Sequence, residues 1–256
     1  MAAHFPIQAW QRRWGLARSI LIYYGIPWRH RQLTRFYSQF IGVGDLCFDI
    51  GAHVGNRTRA WSALGGRVVA VEPMPHFMGL LQHWYGNQPD IRLVEAAVGS
   101  QSGVQELWVS ERTPTVTTLS TDWMQSVQQT ASFSNVRWET VLPVQVTTLD
   151  ELIREYGEPV FCKIDVEGYE RIVLDGLSQP LKTLSFEYVP ATVDLALACI
   201  ERLSALGAYE YNWTTGERHL WQSPTWLSAM QMSQYLEALD PESGSGDIYA
   251  RRAGDT

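Results

Sequence analysis

Two short stretches carry the residues whose types and spacing point to chemistry. In "CFDIGAHVGNRTRAW" (47–61) an apolar run reaches Asp49, and Gly51 and Gly55 then bracket His53 before a helical pattern begins. Glycines in such a turn let backbone approach a ligand, and the helix that follows offers unpaired N–H groups at its start. In "KIDVEGYE" (163–170) a lysine and two carboxylates, Asp165 and Glu167, lie within five residues. Burying them without a task is costly. The structural alternative is that both acids accept from the first N–H groups of the next helix.

The spacing of the first stretch narrows what it holds. A dinucleotide fingerprint needs glycine at its first, third and sixth positions, and here these are Gly51, His53 and Asn56. A phosphate loop ending in Gly-Lys-Ser/Thr is missing as well. What remains is acid-x-Gly-x-x-x-Gly, with Glu72 ending the next apolar run 23 residues after Asp49. A carboxylate there can accept both hydroxyls of a ribose. The turn then faces an amino-acid-like end instead of phosphates, a combination that fits S-adenosylmethionine. An NAD(P)-dependent oxidoreductase on the same sheet is disfavoured by His53 and Asn56, and a catalytically silent binding module by the intact acidic motifs.

The elements that position these residues follow from periodicity. The apolar runs "DLCFDI" (45–50), "RVVAVE" (67–72), "IRLVEAAV" (91–98), "PVFCKID" (159–165) and "TLSFEYV" (183–189) read as strands covered on both faces. Helical patterns at 56–65, 75–86, 149–157 and 167–177 alternate with them, which argues for a mostly parallel sheet with helices on both sides. Thr148 ahead of Glu151 predicts a capping box. Gly65, Gly157 and Gly176 stand where helices should stop. Residues 104–110 read as an extra strand, followed by a polar stretch, 111–135, of weak periodicity. "AYEYNW" (208–213) and "GDIYARR" (246–252), around a helix expected at 225–239, are expected to close the sheet with an antiparallel member. The fold class is thus α/β, a Rossmann-like seven-stranded sheet with an antiparallel C-terminal strand.

Charge divides the chain into two parts. Residues 1–44 hold six arginines and no acid, against 14 basic and 27 acidic groups in the rest. This gives a basic helical arm, interrupted at Pro27, and a domain over 45–256. The arm is expected to pack on the acidic body or to serve as a lid with the 111–140 excursion. A net charge of −7 gives no reason to expect nucleic-acid binding. "SILIYYGI" (19–26) is too short for a membrane span, and three cysteines without CxxC spacing suit reduced thiols in a cytoplasmic protein. Eleven tryptophans suit core packing better than a ligand-lining role.

Taken together, "DLCFDIGAHVGNRT" (45–58), "VVAVEPMP" (68–75), "VTTLDEL" (146–152), "FCKIDVEGYERIVLDG" (161–176) and "LSFEY" (184–188) resemble the FkbM-type methyltransferases, within the class I S-adenosylmethionine-dependent enzymes. The resemblance covers roughly 45–190. It implies that Asp49, Gly51, Ala52, His53, Gly55 and Asn56 form the cofactor turn and that Glu72, followed by Pro73, holds the ribose. It further implies that Ala97 lies at the adenine and that Asp165, Val166 and Glu167 line the methyl-transfer site. The general class I pattern has glycine where His53 stands. The expected reaction is O-methylation of a hydroxyl on a small-molecule natural product, sugar or glycan. Asp165 or Glu167 is the expected base, with Lys163 and His53 as lesser candidates. No metal is expected, since a hard cation wants six oxygens and Asp165 with Glu167 supply too few. A homodimer is the assembly left open.

Overall fold

The computed structural model describes residues 20–21, 24–25, 27–130 and 133–254. The first part of the basic arm, with Trp10 and Trp14, lies outside the described residues. Strand β1 (Leu46–Ile50) is buried along its whole length. It pairs in parallel with β2 (Arg67–Val71) on one side and with β7 (Phe161–Ile164) on the other. A strand so placed has no solvated face, which is why its sequence is continuously apolar up to Asp49. Beyond β2 lies β3 (Ile91–Val94), and beyond β7 lie β8 (Thr183–Tyr188), β11 (Gly246–Arg252), β9 (Tyr209–Thr215) and the two-residue β10 (Leu227–Ser228).

Sheet order is β10-β9-β11-β8-β7-β1-β2-β3, with β11 antiparallel to both neighbours. The expected seven strands and antiparallel C-terminal member are present, and β10 adds a short eighth against β9. The order in which strands are added reverses between β1 and β7, which run parallel: successive strands build outward from β1 through β2 to β3, and from β7 to β8 on the other side. In open α/β sheets the ligand crevice opens at such a switch point, beyond the carboxyl ends of the strands.

Alternation along the central strands feeds two cores. Phe48, Cys162, Ile164 and Phe186 pack on one face with α5 (Leu149–Tyr156), α6 (Glu170–Asp175) and α7 (Val193–Leu206). Cys47, Phe161 and Tyr249 pack on the other, with Tyr37 from α1 (Pro27–Tyr37) and Trp61 from α2 (Asn56–Ala63). Pro27 starts α1, as suits a residue that needs no helical N–H partner. Helix α3 (Pro75–Tyr85) and helix α8 (Ala229–Glu237) complete the layers; α8 is shorter than the expected 225–239 because Leu227 and Ser228 are spent on β10.

Three expectations change. The run 91–98 splits into β3 and β4 (Ala97–Val98), and β4 leaves the main sheet. The extra strand, β5 (Gly103–Val109), belongs to a separate three-stranded sheet of order β4-β6-β5. Its middle strand, β6 (Thr140–Thr147), was not anticipated, because Pro143 breaks the apolar run. Pro143 is tolerated because β4 pairs only with Val146 and Thr147, so no strand faces its nitrogen from that side. The polar stretch after β5 is ordered around Pro114–Val116 and α4 (Thr121–Val127), whose Trp123 is buried. Thr148 accepts from the Glu151 N–H at 3.1 Å, half of the expected box, while the Glu151 carboxylate turns to Thr147 and Ser102. The three cysteines are free and buried, and no described helix is long and apolar enough to cross a membrane.

Candidate active site

At the switch point the Asp165 N–H donates to the Ile50 carbonyl at 3.0 Å, so β1 and β7 end side by side. The turn after β1 then folds back over β2: Gly51 and Ala52 both donate their N–H groups to the Val71 carbonyl. Gly51 sits at φ +80, and His53 takes φ +51, the left-handed region where a side chain is disfavoured. This explains why a glycine suits the position of His53. The backbone here is fixed by Glu72, whose two carboxylate oxygens accept from His53 N–H at 2.8 Å and Met74 N–H at 2.9 Å. Burial pushes Glu72 up to about 7, against these two hydrogen bonds.

Above this turn lies a cavity with about 880 Å³ of atom-free space, part of it open to solvent. Gly51, Ala52, His53, Asn56, Glu72 and Pro73 line one side of it. Ala97 and Val98 form an apolar wall, and Asp165, Val166 and Glu167 form the opposite edge. Asp49 also borders the cavity, but its Oδ2 accepts from the Thr58 N–H at 3.0 Å and the Thr58 hydroxyl at 2.6 Å, holding the first turn of α2. Gly55 lies behind the wall, where a Cβ would meet Leu81 and Tyr85. The imidazole of His53 packs edge-on against Phe77 at 4.1 Å, and burial lowers its pKa to about 3, so it stays neutral.

The arrangement suits S-adenosylmethionine. Each Glu72 oxygen keeps a second lone pair beyond its backbone bond, as two ribose hydroxyls require, and Pro73 with Ala97 supplies apolar surface for a base.

The acidic end of β7 departs from the helix-capping alternative. Helix α6 begins only at Glu170, whose own carboxylate accepts from the Val166 N–H at 3.0 Å and the Gly168 N–H at 3.3 Å. Asp165 and Glu167 are thereby left at the cavity wall. Glu167 stands at φ +54, and an oxygen from each of Asp165, Glu167 and Glu187 falls within 4.8 Å of the others. Burial and the neighbouring Glu187 hold Glu167 well above the usual carboxylate range. Three carboxylate oxygens are half of what an octahedral cation takes, and Lys163 already faces this edge, its Nζ lying 3.3 Å from Asp165.

Sequence reasoning missed one partner of that lysine, Asp247, and a second cation, Arg57, that shares its acids. Lys163 is fully buried and donates to Asp247 Oδ1 at 2.7 Å, while Arg57 Nη2 lies 3.6 Å from Asp247 and 3.9 Å from Asp165. Asp165 and Asp247 raise the Lys163 pKa despite its desolvation, which removes it as a base. An acid 84 residues away in sequence gives no local signal.

The polar excursion after β5 closes the cavity. Pro114, Thr115, Thr117 and Leu119 line it, and the Thr118 hydroxyl donates to the Glu167 carbonyl at 2.7 Å. Trp123 packs flat on Gly168, where a Cβ would lie 2.2 Å from its ring. No described tryptophan lines the cavity. Among the described arm residues none lines it either; Tyr24 backs the turn instead, its hydroxyl donating to the Val54 carbonyl at 2.8 Å.

Among solved structures the chain is similar to precorrin-6Y C5,15-methyltransferase from Geobacter metallireducens (15% identity, 88% of each chain covered, TM-score 0.44). It is also similar to Aeropyrum pernix fibrillarin with natively bound S-adenosyl-L-methionine (13% identity, 82% of this chain and 68% of that one, TM-score 0.43). A third is a TehB-like methyltransferase from Corynebacterium glutamicum (10% identity, 96% of this chain and 97% of that one, TM-score 0.47). No curated protein gives a significant match. The family described as the methyltransferase FkbM domain matches residues 49–194, more than half of the chain, from the end of β1 through β8. The chain therefore belongs to the FkbM methyltransferases and takes S-adenosylmethionine as its cofactor.

Proposed function

We propose that the chain methylates a hydroxyl of a small-molecule natural product or of a sugar or glycan, with Glu167 as the base and Asp165 beside it. The observation that carries this reading is the division of labour at the end of β7. Glu170 satisfies the free N–H groups before α6, leaving two carboxylates at the cavity edge, Asp165 paired with Lys163 and Glu167 beside Glu187. Glu167, held above the usual range, has the proton affinity that a weakly acidic hydroxyl demands of its acceptor.

When bound, S-adenosylmethionine supplies a methyl group already activated on a sulfonium. The chain's part is to align and to exclude water. Glu72 accepts the ribose hydroxyls, and Gly51, Ala52, His53 and Asn56 offer backbone and turn to the amino-acid end. Pro73 and Ala97 flank the base, and Asp165 with Val166 borders the reacting edge. The acceptor hydroxyl gives its proton to a Glu167 carboxylate oxygen, a contribution typically worth about 10²–10⁴-fold in rate. The excursion around Thr118 covers the edge and keeps water from competing.

Asp165→Asn and Glu167→Gln separate these roles. Calorimetry gives S-adenosylmethionine affinity, and mass spectrometry of a panel of hydroxyl-bearing acceptors gives turnover. Glu167→Gln is expected to lose turnover by at least about 100-fold with cofactor affinity within about threefold. Unchanged turnover in both variants would sink the assignment.

A further inference from the structure

We propose that Asp247, on the antiparallel strand β11 and beyond the stretch that matches the family, is a positioning residue that balances the buried charge of the methyl-transfer site so that it admits a cationic ligand. Beneath the cavity edge sits a box of four charges: Lys163 and Arg57 against Asp165 and Asp247. Lys163 is fully buried, and the side chains of Arg57 and Asp247 are each 9% exposed, whereas that of Asp165 is 26% exposed. Asp165 and Arg57 border the cavity, whereas Lys163 and Asp247 lie behind them. Asp247 faces both cations, and its Oδ1 holds the shortest contact, 2.7 Å to Lys163, while Glu217 is a further anion facing Arg57.

Placement in the sheet explains why the anion comes from so far along the chain. β11 runs against β8, so its first residues lie at the carboxyl ends of the parallel strands, with Asp247 opposite Glu187. Of β7, β8 and β11, only the antiparallel β11 begins at that edge. The residue on β7 that points to the same face is Lys163, opposite Ser185 on β8, and Asp247 meets its ammonium across that strand. Without Asp247, Lys163 and Arg57 lose an anion that faces both of them, and the site becomes one charge more positive where a sulfonium must lie, in surroundings that screen charge poorly.

The inference rests on the reading that Asp165 borders the reacting group, and its test uses binding alone, so it stands or falls separately from the base assignment. S-adenosylmethionine carries the sulfonium charge; S-adenosylhomocysteine, its demethylated product, has a neutral sulfur. Both affinities are measured by calorimetry on wild type, Asp247→Asn and the double variant Lys163→Met/Asp247→Asn, in which the remaining pair, Arg57 and Asp165, is balanced. Asp247→Asn is expected to weaken S-adenosylmethionine by about tenfold relative to S-adenosylhomocysteine, the double variant restoring the wild-type ratio. A scaffold role would move both affinities together. Equal losses for the two ligands, an unchanged ratio in Asp247→Asn, or no recovery in the double variant overturns the proposal. Should Asp247→Asn fail to fold, the double variant carries the test through a wild-type ratio. If the double variant does not fold either, the box serves stability alone and the inference is wrong.

Discussion

Gly51 lies directly against Asp165: a Cβ at position 51 would fall 1.9 Å from the Asp165 carbonyl oxygen, at a backbone φ of +80. The glycine of the turn is thus demanded by the contact between β1 and β7 before any ligand is considered. Gly51→Ala must push the two strand ends apart and hold alanine in the left-handed region. A loss of about 2–4 kcal/mol in unfolding free energy is expected, read from urea denaturation, with cofactor affinity falling in parallel. A stable variant with a wild-type midpoint would show that the strand ends separate freely.

Glu72 gives cofactor binding a pH dependence. Its carboxyl is pushed up to about 7 by burial, and the ionised form is the better acceptor for ribose hydroxyls. S-adenosylmethionine affinity is expected to rise by about tenfold between about pH 6 and about pH 8, measured by calorimetry. Stability moves the other way. The folded carboxyl keeps its proton above the ordinary value of 4.5, so the stability this gives is lost as pH rises from there through about 7. Glu170, raised by burial to the same value, adds to that slope, so Glu72→Gln should remove only part of it.

After burial, Glu187 contributes most to the raised proton affinity of Glu167. Replacing it by glutamine removes the neighbouring negative charge, and the pKa of Glu167 falls. The acid limb of the turnover profile is expected to move down by about one pH unit in Glu187→Gln. An unmoved limb would assign that ionisation to another group.

The excursion is tied to the base by one hydroxyl. Thr118→Val loses the hydrogen bond to the Glu167 carbonyl, at a stability cost of about 1 kcal/mol. Turnover is expected to fall several-fold while cofactor affinity holds, because Glu72 and the turn are untouched. Trp123→Ala, which uncovers Gly168, should cost about 3–5 kcal/mol and show the same split in kinetics.

How much of this was written locally in the sequence differs from part to part. The turn from Asp49 to Asn56 and the position of Glu72 are legible because each depends on neighbours in one strand-turn-helix unit. The strand β6 was hidden by Pro143, whose missing N–H is harmless only because β4 is short, a tertiary fact. Asp165 and Glu167 carry two readings in sequence; that Glu170, and neither of them, accepts from the Val166 and Gly168 N–H groups ahead of α6 is a tertiary detail that "DVEGYE" does not reveal. Asp247 is unreadable for a different reason: its meaning comes from Lys163, brought to it by sheet order alone. His53 argued correctly against a dinucleotide, and its φ of +51 shows the backbone strain at which the position is held.

The segment between β5 and β6 leaves and rejoins the framework at one rung, since Val109 pairs directly with Thr140. Its two ends are fixed neighbours whatever lies between them, and loop length costs little once the ends are held. The roof of the pocket is therefore an exchangeable cassette. Selection can rewrite it to suit a new acceptor while the nucleoside half of the enzyme stays as it is.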